Sequence, residues 1–204
     1  MLPLSLRLDD PNPVVRQYTI RALGIIANPE QAVWLLSALA DSNPKVNEEA
    51  YLALLKQDAQ VYIDLIAKLD MQHFSVQQQC LLIQLLGNSR DYDALPVLLT
   101  FADDHNPVVR RASFVALAKF PHAKLQKIIL KGIADVDRQV RADALMLAPR
   151  DKTPQIMAAV FSQLTTQDEQ IRHTLLKILP GLTGETLSSI KGWQRWWQAN
   201  RSKQ

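Results

Sequence analysis

Residues able to do chemistry are few in this chain, and their spacing argues against an active centre. The four histidines, His73, His105, His122 and His173, fall in four different repeats, mostly in turns, and none has the HExxH spacing of a metal site. Cys80 is the single cysteine, so neither an internal disulfide nor a cysteine zinc cluster can form. No G-x-S-x-G, Walker or G-x-G-x-x-G stretch occurs. The sequence thus names no catalytic residue, no metal ligand and no cofactor site, and enzymatic activity is not the expectation.

Two patterns have the composition of contact surfaces. Lys124, Lys127 and Lys131, with Lys119 nearby, form a basic stripe suited to phosphate, but they lack the interleaved aromatics of single-strand readers. In the C-terminal stretch, Leu187, Ile190, Trp193, Trp196 and Trp197 recur on one side of a helix, with Lys191 and Arg195 on the other. Covering the apolar edge of the last structural unit is the expected role of that helix. Docking into a partner or a membrane interface is the alternative.

Charge is unevenly spread. Residues 1–104 hold 7 Lys and Arg against 13 Asp and Glu, and residues 105–204 hold 16 against 7. An acidic partner for the basic half, nucleic acid included, is one reading of this asymmetry, and a solvated surface of mixed charge is the other. The chain has no signal-peptide pattern and no run of about 18 apolar residues, so a cytoplasmic, monomeric protein is expected.

The elements that must position these residues come from a repeat. DDPNPVVR at Asp9–Arg16 returns as DDHNPVVR at Asp103–Arg110. Anchored on Val15, Val46, Val76, Val109, Val140 and Ile171, the spacings are 31, 30, 33, 31 and 31. Three residues before each anchor stand Asn12, Asn43, His73, Asn106, Asp137 and Asp168, five of them strong helix caps. Pro13, Pro44 and Pro107 follow, where a first helical residue needs no N–H. The third copy lacks the Asn or Asp cap, and Ser75 is the substitute.

Four residues after the anchor come Thr19, Ala50, Cys80, Ser113, Ala144 and Leu175, five of them small, as close helix contacts require. A second apolar helix precedes each anchor, while Gly87, Pro121, Pro149 and Pro180 fall between helices or at their ends. The expectation is an all-α solenoid of about six helical pairs with a C-terminal capping helix, one repeat domain over 1–204. The pairs fall near 1–26, 29–56, 58–86, 91–119, 121–148 and 152–180, and the Trp-rich helix near 184–200. MLPLSLRL matches only the end of a first helix, so either a short edge suffices or further repeats precede it.

The pattern Asp-x-(Asn/Asp)-Pro-x-Val-Arg-x-x-(small)-x-x-Ala-Leu resembles HEAT repeats, especially the short HEAT-like form of phycobilisome lyases. The W-x-x-WW ending resembles that of some bacterial HEAT-repeat proteins. The resemblance implies a right-handed superhelix whose second helices line the concave face. It implies a ladder between Asp10, Asp41, Asp104 and Asp135 and Arg16, Arg110, Arg141 and Arg172, broken where Met71, Thr166, Asn47 and Gln77 stand. It also brings two enzymatic alternatives, a bilin lyase subunit and a DNA glycosylase relative.

Six residues after the anchor, where the family places polar residues, stand Arg21, Leu52, Leu82, Val115, Met146 and Lys177. They predict an apolar groove with charged ends, because contiguous exposed apolar surface marks interaction sites. Arg111 and His173 are expected beside it. A non-enzymatic scaffold that binds a protein or peptide is the resulting expectation.

Overall fold

The structure, a computed structural model, describes residues 4–26, 28–121, 125–150 and 152–201. Among them are twelve α-helices and no strand. Contacts divide the chain into two compact units, 1–120 and 121–204.

The first unit holds α1 (Pro13–Ile26), α2 (Ala32–Ala38), α3 (Pro44–Leu54), α4 (Ala59–Ile66), α5 (Val76–Ser89), α6 (Ala94–Phe101) and α7 (Pro107–Leu117). A 3-10 turn over Leu4–Arg7 packs on α1. Two layers result: α2, α4 and α6 stack in one, and α1, α3, α5 and α7 in the other. The second unit holds α8 (Gln126–Ile133), α9 (Arg138–Leu147), α10 (Pro154–Ser162), α11 (Glu169–Thr183) and α12 (Ile190–Asn200). There α8 packs on α9 and α10, and α9 packs on α11.

Most of the turns before the second helices share one chemistry. Asp41 Oδ1 accepts the N–H of Asn43 at 2.8 Å, and Asn43 Oδ1 accepts that of Lys45 at 2.9 Å. Asp104 and Asn106 do likewise toward Asn106 and Val108 at 2.7 and 2.9 Å, as do Asp135 and Asp137 toward Asp137 and Gln139 at 2.8 and 2.9 Å. Each bond satisfies a donor that a helix start leaves free. One turn into the helix, a long polar side chain closes the loop. Arg16, Arg110 and Arg141 donate to the carbonyls of Asp10, Asp104 and Asp135 at 2.7, 2.9 and 2.9 Å.

The third turn shifts the register inferred from sequence. Ser75 caps α5 in a capping box with Gln78, and Gln79 Nε2 donates to the carbonyls of Met71 and Phe74 at 2.9 and 3.0 Å. Gln79 therefore stands where the arginines do. The equivalent positions are Arg16, Asn47, Gln79, Arg110, Arg141 and Arg172, every 31 residues apart from one step of 32. Val76 is accordingly exposed, while the anchors Val46, Val109, Val140 and Ile171 are buried. Leu82 takes the slot assigned to Cys80, and Cys80 is only half-buried, its thiol pushed up by burial.

Two of the breakers lie in the last turns of helices. Gly87 belongs to α5, and a Cβ there would come within 2.8 Å of Ala116 Cβ on α7. Pro180 sits in the last full turn of α11, four residues before the left-handed Gly184 that ends it.

Candidate protein-binding face

With the register corrected, one position recurs on every second helix, five residues after the polar slot. In the first unit it holds Arg21, Leu52, Gln84 and Val115; in the second, Met146 and Lys177. All six are exposed: Leu52 by 46%, Val115 by 57% and Met146 by 42%, each beside fully buried helix mates such as Leu54, Leu117 and Leu145. Leu82 is not among them. It is completely buried, because the extra residue in the third turn rotates it inward and brings Gln84 to the surface. The row in the first unit is therefore apolar at Leu52 and Val115 and polar between them. Counting from the Ser75 cap would have found Gln84.

The charged residues expected beside the row differ in availability. Arg21 is committed to Glu49 on α3, with Nε and Nη2 at 2.9 and 2.6 Å from the carboxylate. That bond, reinforced by Gln17, holds the Glu49 carboxyl below its usual range. Arg111 is half-buried and has interactions of its own. His173 and Lys177 on α11 are exposed.

Neighbouring second helices in the first unit are joined in different ways. Between α1 and α3, Arg16 grips Asp41 with two bonds of 2.7 and 2.8 Å, holding that carboxyl below its ordinary value. A Cβ on Gly24 would stand 2.6 Å from Ala53 Cβ, so these helices touch at backbone distance. Between α3 and α5 no ion pair occurs among the described residues. Asn47 turns back to the carbonyls of Leu39 and Asp41 at 2.6 and 3.0 Å. Leu55 occupies the position of Gly24 and Gly87, and α3 and α5 stand farther apart than α1 and α3 or α5 and α7. A cleft of about 340 Å³ opens between them, lined by residues that include Leu39, Glu48, Tyr51, Gln78 and Leu81. Beyond it, Asn88 on α5 donates to the Tyr51 hydroxyl and accepts from Lys119, which burial and the nearby Arg90 push below its ordinary value.

The tryptophans lie in the second unit. Trp193 is fully buried and its indole N–H donates to the Leu187 carbonyl at 3.0 Å. Trp197 stacks on Phe161 of α10 at 4.3 Å between centroids, with Trp196 at 5.6 Å. Gln194 Nε2 ties α12 to the Leu164 carbonyl at 3.0 Å. The aromatic side of α12 thus faces its own unit, as a cap requires.

Of the basic stripe, Lys127 and Lys131 are exposed on α8 and Lys119 follows α7; Lys124 lies outside the described residues, as does His122. His73 and His105 are exposed in turns. Among the described residues no group of three or more His, Cys, Asp or Glu could hold a metal ion, and no helix is long and apolar enough to cross a membrane.

The family model described as HEAT repeats matches residues 1–70 and 64–146. The chain belongs to the HEAT-repeat family. A comparison with curated proteins gives no match. Among solved structures, this HEAT-repeat chain is similar to YibA of Escherichia coli, at 18% identity and a TM-score of 0.56, over 86% of this chain and 68% of that one. It is similar to a designed armadillo repeat protein in complex with the peptide (KR)4, at 16% identity and a TM-score of 0.54, over 88% and 98%. Human deoxyhypusine hydroxylase in complex with glycerol matches at 17% identity and a TM-score of 0.51, over 89% and 73%. At these identities the likeness is one of fold: a helical-repeat solenoid.

Proposed function

We propose that this HEAT-repeat protein is a non-enzymatic scaffold, cytoplasmic and monomeric, that binds a protein or peptide partner on the face of its second helices. The observation that carries this reading is the recurring exposed position. Leu52, Val115 and Met146 stand half in solvent at the same place in α3, α7 and α9. Apolar side chains kept at one register position are what a contact row needs. A peptide bound by a solenoid of the same kind, the designed armadillo protein, lends further support.

Photo-crosslinkers placed at Leu52 and Val115 should yield partner adducts from extracts of the source cells, and one at Val33 on α2 should not. The double variant L52E/V115E should abolish the adducts while leaving the helical circular dichroism unchanged. Equal adducts from all three positions would overturn the reading.

A further inference from the structure

The cleft between α3 and α5 has a wall chemistry that selects a ligand class. Leu39, Tyr51 and Leu81 supply apolar and aromatic surface, and Gln78 supplies an amide. Two carboxylates reach it. Asp41 is neutralised by its two bonds from Arg16, whereas Glu48 has no ion pair or hydrogen bond among the described residues. No lysine, arginine or histidine lines the space. One uncompensated negative charge beside an apolar wall favours a cation carried on an alkyl stem. Tyr51 adds to this, because an aromatic face attracts a cation within about 6 Å. The volume of about 340 Å³ lies at the lower end of pockets that hold small ligands, about 300–1,000 Å³.

Position links the cleft to the second-helix face. Glu48 precedes Leu52 by one turn of α3, and Leu81 precedes Gln84 by one turn of α5, so each pair shares a side of its helix. Leu52 and Gln84 are thus one turn beyond the cleft's lining residues on the two helices that form it. We propose that the cleft is a socket for one lysine or arginine side chain of a peptide bound on that face; this rests on the peptide-binding reading above.

The test is titration of the isotope-labelled full chain with acetyl-Ala-Ala-Arg-Ala-Ala-amide, followed by backbone NMR. The lysine counterpart and a version with neutral citrulline in place of arginine complete the set. The arginine and lysine probes should shift the amides of Glu48, Tyr51, Gln78 and Leu81, and the citrulline probe should bind several-fold more weakly. In Glu48→Gln, an exposed position where folding is not at stake, affinity for the arginine probe should fall about three- to tenfold. Equal response to arginine and citrulline, an unchanged affinity in Glu48→Gln, or no shifts in the cleft would each overturn the socket. Shifts at Leu52 and Val115 alone would overturn it while leaving the second-helix face standing as a binding surface.

Discussion

The α1–α3 and α3–α5 joints are built from the same repeat and differ in the side chains that fasten them. At the first, glycine faces alanine and arginine reaches across to aspartate. At the second, Leu55 takes the glycine's place, Asn47 takes the arginine's, and the third turn offers His73, two residues before the Ser75 cap, where most other turns have aspartate. The first joint closes to backbone contact at Gly24 and is hollow beside its helix starts, where Pro13, Val14 and Gln17 meet Asn43, Pro44 and Lys45; the second leaves a cleft that reaches Tyr51 and Leu81. The proposed socket thus lies at the joint that lacks both the ion pair and the glycine contact.

The largest way to break this contrast is to fill a closed joint. Gly87→Leu and Gly24→Leu force a side chain into atoms already 2.8 and 2.6 Å from a mere Cβ, and should each cost about 2–3 kcal/mol in chemical denaturation. Leu55→Ala, at the equivalent position of the open joint and 40% exposed, should cost less than about 1 kcal/mol. A large loss there would mean the α3–α5 joint is packed as tightly as its neighbours.

Next in size is the ionic fastening. Asp41 is held below the usual carboxylate range by Arg16, so its contribution is complete above the unfolded value near 4 and is lost as pH falls through the lower folded one. Asp41→Asn should lower the melting temperature by about 3 °C at pH 7, and the gap from the parent should narrow below about pH 4. A gap that persists at lower pH would remove the carboxylate from the account. The smallest effect is expected from L52E/V115E: stability within about 0.5 kcal/mol of the parent, because both side chains already meet solvent.

Much of this architecture was legible in the sequence. Asn–Pro and Asp caps are local signals, and they placed five of the six second helices without any tertiary information. The third repeat misled because its valine, Val76, imitates the anchor while its true polar slot holds Gln79, an amide doing an arginine's work. From that shift followed the assignments of Leu82 to the surface and Cys80 to the small slot. The Ser75–Gln78 capping box was readable and gives the correct register when counted from. The cleft was not readable, since it depends on how far two helices stand apart, and that distance is set by pairs of residues thirty positions from each other.

The second unit fastens α9 to α11 by a different means. Gln139 and Gln170 exchange two amide hydrogen bonds of 2.7 and 2.9 Å, while the Arg141–Asp168 pair beside them is stretched to 3.9 Å. Ion pairs are weakened by salt, and neutral amides are not. The same chain therefore carries one seam that leans on an ion pair and is the more sensitive to ionic strength, and another that leans chiefly on neutral amides.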